Sequence, residues 1–315
     1  MTKSWHRPTL WVAVVMAVAA VGCGVAMLVD GRTLQGAPLW LKPFKFTVSL
    51  AVYSATLSWL LSLPHRGRRW TRGLGTASAV ILVFDVGVVV MQAARGTFSH
   101  YNQSDDAFNE LVGHAFGKSI PIMFLLNVAL ALVLSFQRFA TPDVRWAVRS
   151  GLYLAVLGMF SGYLMAFQLD KRVTATDAAG RQVELVGGHS VGVPDGGPGM
   201  PVTAWSTTGG DLRVPHFVGM HGLQAMVLLA AALTALGLAE RTRVRLVGVV
   251  AVGYLGLFCT LTWQALRGEP LVHPGGATLV ALAAVAAWVA AGVTWSLRTR
   301  TATAPPPHPV PQPVR

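Results

Sequence analysis

Three polar side chains within one apolar stretch, Asp85, Gln92 and Arg95, have the types and spacing for proton or anion chemistry. Asp85 and Gln92 are seven residues apart and Gln92 and Arg95 three, so an α-helix would place all of them on one face. An ionisable residue deep in an apolar helix is costly and by default marks a functional site. Asp85 is therefore a candidate proton acceptor, and Arg95 a candidate group that neutralises an anion. The alternative for Asp85 is a hydrogen-bonded acid that holds helices together, and Asn127 is its candidate partner in either role.

Histidines form the second group, because neutral imidazole is the most common protein ligand of transition metals and often holds haem iron. The segment RVPHFVGMHGLQ contains His216, His221 and Gln224, and His100 and His114 lie around another polar segment. His216 and His221 are five residues apart, about 140° around a helix, so this pair is poorly placed to chelate one ion. His221 and Gln224 share a face. The alternative for each histidine is a polar residue at the water boundary that binds loop backbone.

The motif Gln-Ala-x-Arg-Gly occurs twice, at 92–96 and again 172 residues later at 264–268. Each copy ends an apolar run, and a histidine follows shortly after. Arg95 and Arg267 could each clamp an anion such as a haem propionate, a lipid phosphate or a carboxylate. Alternatively, each arginine binds the last carbonyls of its helix while the glycine supplies a left-handed C-cap. The repetition favours the capping interpretation, because the histidines and Asp85 are not repeated.

Membrane helices are the elements that must position these residues. The chain has 315 residues, of which 53% are hydrophobic and 12% charged, with a mean hydropathy of +0.53. A soluble globule carries more charged surface than this. We therefore predict an all-α integral membrane bundle of eight transmembrane helices, each near the ~20 residues that a bilayer requires. The predicted spans are approximately 10–29, 44–63, 75–94, 119–139, 148–168, 217–239, 246–266 and 277–297.

The basic residues predict the orientation, because Lys and Arg are retained on the cytoplasmic side. With the N-terminus inside, the cytoplasmic segments hold 15 basic residues against two acids, Asp143 and Glu240. Both termini are then cytoplasmic. The same bias accounts for the net charge of +12 and the isoelectric point near 10.7, and it indicates anionic lipid headgroups as partners and no nucleic acid. The two cysteines, Cys23 and Cys259, lie in apolar spans and predict no disulfide framework.

Two tandem halves are expected, 1–139 and 140–297, followed by a disordered proline-rich tail at 298–315. Four spans per half insert both halves in the same sense, which makes a 4+4 parallel repeat. The 172-residue shift also aligns Pro43 with Pro215 but places Leu257 opposite Asp85, so one asymmetric site is expected. The long outer loop 169–216 is rich in turn-forming residues, and its GRQVELVGG segment could be a short strand.

Three segments, LWLKPFKF, MQAARGTFSHYN and DLRVPHFVGMHGLQ, resemble a family of bacterial multi-pass membrane proteins without an assigned activity. The resemblance covers about residues 39–224. It implies a protein of the bacterial cytoplasmic membrane and nothing about chemistry. The sequence has no CxxCH, phosphate-binding loop, zincin helix or nucleophile elbow.

The leading functional hypothesis is a redox-type protein that binds haem b or a transition metal at its outer face. The metal ligands would be four histidines, His100, His114, His216 and His221. The catalytic groups would be Asp85 and Arg95, and the cofactor-binding groups would be Gln92, Arg95, Gln224 and Arg267. The first alternative is a proton-coupled transporter in which Asp85 cycles its proton. The second is a non-catalytic scaffold whose outer loop binds a partner.

Overall fold

Ten helices and three small antiparallel sheets make up the part of the chain described by this computed structural model, residues 5–138 and 140–298. The helices are α1 (Arg7–Val29), α2 (Leu41–Ser62), α3 (Arg68–Ala94), α4 (Ala107–Ser135), α5 (Pro142–Ser161), α6 (Tyr163–Ala166), α7 (Arg213–Met220), α8 (Gly222–Ala235), α9 (Glu240–Leu266) and α10 (Gly276–Arg298). The strands are β1 (Thr33–Leu34), β2 (Ala37–Pro38), β3 (Arg172–Thr176), β4 (Gln182–Val186), β5 (Ser190–Val191) and β6 (Gly210–Asp211). Apart from Arg298, the predicted tail at 298–315 lies outside the described residues.

Seven described helices are long and apolar enough to cross a membrane, and α7 with α8 would make an eighth. This last pair is bent by 44°, where the sequence predicts one unbroken span over 217–239. The break falls at His221, whose ring lies 4.4 Å from that of Phe217 and whose Nε2 lies 3.4 Å from Ser49 Oγ. Helix α4 also differs from its prediction and begins well before residue 119, because Asp106 caps it by accepting a hydrogen bond from the Asn109 amide.

The bundle exposes large apolar side chains and buries small polar ones. Val21 on α1 and Val280 on α10 are 69% and 71% exposed, whereas Ser58 and Ser78 are fully buried. Lipid tails are as apolar as leucine, so membrane helices associate through close packing of small residues and not by hiding oily surface from water. The distribution of side chains therefore agrees with a bundle surrounded by lipid.

Glycines bring α5 into backbone contact with the broken helix. A Cβ atom on Gly158 would overlap the backbone of Gly219 and Met220, and a Cβ on Gly151 would overlap Leu223. Such small-residue contacts are the usual way in which two membrane helices approach closely. This packing holds α7 and α8 against α5.

The two ends of the bundle are built differently. One end, called here the arginine end, carries the connections 63–67 and 236–239 and the residues 136–138 and 140–141. It is held together by the ion pair between Arg243 and the fully buried Asp143, at 2.8 Å, and by a hydrogen bond from the Arg66 amide to Gln137. The opposite end, called the cap end, carries the segments 30–40, 95–106, 167–212 and 267–275.

The cap is an ordered layer built mostly from 167–212. Strands β3 and β4 pair from Arg172–Val186 to Thr176–Gln182, so the GRQVELVGG segment does contain a strand. The β4 edge continues onto the chain after α3, where the Val186 amide donates to the carbonyl of Tyr101 at 3.0 Å. Val183 and Leu185 pack on Phe98 beneath the hairpin. Strands β5 and β6 form a second pair, beside the end of α9.

The glycine contact predicts a sharp difference between two helix positions. Gly158→Ala should lower the free energy of unfolding by about 1–3 kcal/mol, because its methyl group overlaps the backbone of α7. Gly87 lies in the middle of α3, where an added methyl group would meet no other atom within 4 Å, so Gly87→Ala should leave stability unchanged or slightly raised. Thermal unfolding of both purified variants in one detergent measures this. Equal midpoints would contradict the proposed contact.

Candidate functional site

The repeated motif forms two nearly identical helix ends. Gly96 and Gly268 have φ of 76° and 74° and act as left-handed C-caps. The side chains of Gln92 and Gln264, which are 0% and 2% exposed, donate through Nε2 to the carbonyls of Phe98 and Pro270 at 3.3 and 2.9 Å. The glutamine therefore ties each helix to the segment that follows it.

Among the described residues, the arginines of the motif have no hydrogen bond to a carbonyl of their helix, so that part of the capping interpretation is wrong. Arg95 donates to Gln92 Oε1 at 3.0 Å and lies over the ring of Phe108. Arg267 pairs with Glu269 at 2.8 Å and lies over Trp263. Both guanidinium groups are thus used locally, as cation–π and ion-pair partners.

Asp85 is separate from this network. Its Oδ1 accepts a hydrogen bond of 2.7 Å from Ser119 on α4. The predicted partner, Asn127, instead accepts from the hydroxyl of Tyr53 and donates to the carbonyl of Met123. The partner prediction is therefore wrong, and the predicted polar face divides into Asp85 with Ser119 and a Gln92–Arg95 pair nearer the cap.

The four histidines predicted as metal ligands are not assembled into one centre. Among residues 5–138 and 140–298, no group of three or more His, Cys, Asp and Glu side chains could hold a metal ion. His216 donates through Nδ1 to the Gly158 carbonyl at 2.7 Å, His221 lies beside Ser49, and His114 is exposed on α4. Binding of haem or a metal stays a prediction that these positions do not favour.

Gln224, predicted to contact a cofactor, is buried in α8, and neither its amide nitrogen nor its amide oxygen has a hydrogen-bond partner in the described part of the protein. A buried amide without partners costs free energy. Gln92, by contrast, has all its hydrogen bonds within the chain, to Phe98, Asn109 and Arg95. The two predicted cofactor-binding glutamines therefore differ in their hydrogen bonding, and cofactor binding by either one stays a prediction.

The cap end contains a group of residues that we call the cationic recess: Lys42, Lys45, His100, Tyr101 and His189. Lys42 and Lys45 open α2 three residues apart and so share one side of it. The Lys42 ammonium group donates to Nδ1 of His100 at 3.2 Å, and Lys45 donates to the carbonyl of Thr203 at 2.6 Å. Neither lysine has a carboxylate within 4.0 Å in the described ranges.

The imidazoles of the recess are neutral at pH 7. Burial, together with the nearby charge of Lys42, holds the pKa of His100 well below its usual value of 6.5. Lys42 Nζ and Ser99 Oγ lie 3.2 and 3.0 Å from Nδ1 of His100, and an ammonium donor at Nδ1 favours the tautomer with the proton on Nε2. Burial also lowers the pKa of His189, although its partner Asp195 opposes the shift.

Two acids near the recess are fully engaged by the cap itself. Asp195 accepts hydrogen bonds from the Ser190 amide and the Lys171 ammonium group, at 2.7 and 3.0 Å, and its Oδ2 lies 3.3 Å from Nδ1 of His189. Burial would raise the pKa of Asp195, but these partners, first among them His189, hold it well below the usual range. Asp211 is similarly paired with Arg213.

Most of these residues could not be predicted as a group from the sequence. Lys42 and Lys45 are visible only as a Lys-x-x-Lys pair opening an apolar helix, which is also typical of lysines at a membrane boundary. His189 and Asp195 lie in a glycine-rich segment, and Arg213 opens α7. The chain distance from Lys42 to His100 is 58 residues, and from Lys45 to Thr203 it is 158. Such pairings depend on the fold of the cap.

A scan against protein-family models, a search of curated proteins and a search of solved structures each found no match to this chain. The resemblance of residues 39–224 to a bacterial membrane family therefore stays a prediction. The class of the protein follows from the fold: a helical bundle whose helices have the length and composition of membrane spans.

Asp195 is predicted to stabilise the cap, because it joins Lys171 to the amides of His189 and Ser190. Asp195→Asn should cost about 1.5–3 kcal/mol of local stability, because it removes hydrogen bonds to a charged acceptor, and trypsin should then cleave faster at Arg181. Because the folded pKa of Asp195 is depressed, its stabilisation is present above the unfolded value of 3.8 and is lost as the pH falls below it. The matched control is Glu184→Gln, which removes an exposed ion pair with Arg172 and should leave cleavage unchanged. Equal rates for the two variants would refute this role.

Proposed function

We propose that the chain crosses the membrane eight times, in two four-helix halves of the same orientation. In this proposal α7 and α8 form the eighth span, bent at His221. The helix contacts support the repeat: α1 packs on α2 and α3 as α5 packs on α7, α8 and α9, and α3 meets α4 as α9 meets α10. The two matching helix ends after Gln92 and Gln264 also support it.

A contact between equivalent positions adds a geometric argument. Ser49 and His221 are 172 residues apart, the offset that relates the two motifs, and their side chains lie 3.4 Å apart. Equivalent residues of two related units touch each other only near a twofold axis. We therefore place the pseudo-twofold axis of the halves between α2 and the α7–α8 break.

The proposed orientation puts the arginine end in the cytoplasm and the cap end outside, in the cytoplasmic membrane of a bacterium. The excess of Arg at the turns of the arginine end supports this, since positive charge is retained inside. Both termini then lie in the cytoplasm.

Cysteine labelling tests this orientation. In a background without Cys23 and Cys259, we expect Asp105→Cys to react with a membrane-impermeant maleimide in intact cells. Arg241→Cys should react only after the membrane is opened. The opposite pattern would show that the arginine end faces outward and the cap end faces the cytoplasm. Labelling of both sites in intact cells would rule out the eight-span arrangement.

We infer that the protein binds a small anion, such as a carboxylate or phosphate, in the cationic recess under the cap. The observation that carries this proposal is the position of Lys42 and Lys45, two partly buried cations without a carboxylate partner among the described residues. Removing a charge from water without a counter-charge is costly. An anion between the lysines would supply that counter-charge.

The remaining charges of the cap support a ligand of this sign. Lys171 and Arg213 are paired with Asp195 and Asp211, whereas Lys42 and Lys45 have no carboxylate within 4.0 Å among the described residues. Both imidazoles are neutral and add no charge. The surrounding rings of Phe46, Tyr101 and Phe116, with centroids 4.8–6.1 Å from that of His100, shield the recess from water and strengthen its electrostatic attraction.

Proton-coupled transport is the second candidate, and Asp85 supports it. This carboxyl group accepts a hydrogen bond from Ser119 and has no cation within 4.0 Å among the described residues. An unpaired acid within a membrane span is a site for a proton. Anion binding and proton coupling are compatible functions of one transporter.

Anion binding is tested by thermal stabilisation of the purified protein with phosphate, sulfate or succinate at constant ionic strength. A bound anion at about 100 times its Kd should stabilise the folded protein by about 2.7 kcal/mol. Lys42→Gln and Lys45→Gln should each abolish most of this stabilisation. Lys118→Gln, which removes an exposed lysine of α4, should retain it. The proposal fails if none of the three anions stabilises the wild type, or if all three variants respond alike.

A further inference from the structure

A cavity lined by cationic side chains lies at the opposite end of the bundle, between the end of α4 and the start of α5. It has a volume of about 430 Å³ and is lined by Arg138, Arg145, Trp146 and Arg149. Pockets that bind small molecules have volumes of about 300–1,000 Å³. Its position separates it from the cationic recess, and none of its residues belongs to the proposed anion site.

The spacing of the arginines along the chain places their side chains around this cavity. Arg145 and Arg149 are four residues apart on α5 and therefore project from the same side of the helix. Arg149 also donates to the carbonyl of Gln137 at 3.3 Å, which holds the end of α4 and the side chain together. Arg138 follows Gln137 directly. Three cations thus line one cavity, where they repel one another.

No acid of the described chain lines this cavity. Asp143, which lies on the same turn of α5 as Arg145, is fully buried in its ion pair with Arg243. The Nε of Arg149 is inaccessible to solvent and has no hydrogen-bond partner among residues 5–138 and 140–298. A buried guanidinium nitrogen without an acceptor costs free energy. The cavity therefore has an excess of positive charge and an unused donor.

We propose that this cavity binds a phosphate group through the guanidinium groups of Arg138, Arg145 and Arg149. The planar fork of a guanidinium matches two phosphate oxygens, and three forks can neutralise a dianion or two adjacent phosphates. Trp146 is 52% exposed and has the amphipathic ring that is enriched at membrane interfaces. The phosphate belongs either to the headgroup of an anionic lipid or to a soluble phosphate compound.

The experiment uses the full-length protein in detergent and native mass spectrometry with three probes: a short-chain phosphatidylglycerol, phosphatidylcholine of the same chain length, and inorganic phosphate. Variants Arg145→Gln and Arg149→Gln each remove one guanidinium group. We expect each variant to bind the phosphate probe about tenfold or more weakly, because it loses one charge-assisted hydrogen bond. Arg69→Gln, which removes an exposed arginine at the same end, is the matched control and should bind as the wild type does.

The probes separate the two sources of phosphate. Binding of phosphatidylglycerol without inorganic phosphate assigns the site to a lipid, and binding of inorganic phosphate assigns it to a soluble compound. Arg149→Lys keeps the charge but removes the fork and the buried Nε, so it should bind more weakly than the wild type while folding normally. The proposal is overturned if phosphatidylcholine binds as tightly as phosphatidylglycerol and inorganic phosphate does not bind. It is also overturned if Arg145→Gln and Arg149→Gln bind no more weakly than Arg69→Gln.

Discussion

The buried amide of Gln92 is the interaction on which the cap end depends. Its nitrogen donates both to the Phe98 carbonyl and to Asn109 at the start of α4, while its oxygen accepts from Arg95. One side chain therefore ties the end of α3 both to the segment that follows it and to the first turn of α4. His100, which contacts Lys42, lies two residues beyond Phe98 in the segment that this amide holds. A buried amide without partners costs free energy, so the folded state favours the arrangement in which all three hydrogen bonds of Gln92 form.

The proposed repeat supplies a scaffold, and the cap makes it asymmetric. The segment that covers the end of α3 comes from the second half: the amide of Ala178 donates to the carbonyl of Gly96 at 2.8 Å. At the 172-residue offset, Lys42 corresponds to Val214 and His100 to Val272. The loop of one half thus closes over cations that only the other half has. The proposed anion site is therefore single, although the two proposed halves have the same helix ends.

The sequence was informative where local physics decides. Apolar length predicted the long helices, and the glycine of the repeated motif predicted the left-handed caps that Gly96 and Gly268 form. It failed where a distant residue decides. The start of α4 is polar in composition, yet the Asp106 cap makes it helical. Asp85 bonds to Ser119 because of how α3 and α4 pack, which the spacing of polar residues along α3 does not encode.

The two proposed anion sites at the ends of the bundle use different cationic side chains, and the chemistry of each side chain suits a different anion. At the cap end the cations of the proposed anion site are lysines, which are compact point charges on flexible stems. At the arginine end they are arginines, whose weakly hydrated planar groups suit phosphates at a membrane surface. Asp143 could have neutralised that cavity, but Arg243 binds it from α9 at 2.8 Å. The ion pair that joins α5 to α9 therefore also leaves the three arginines available for an external anion.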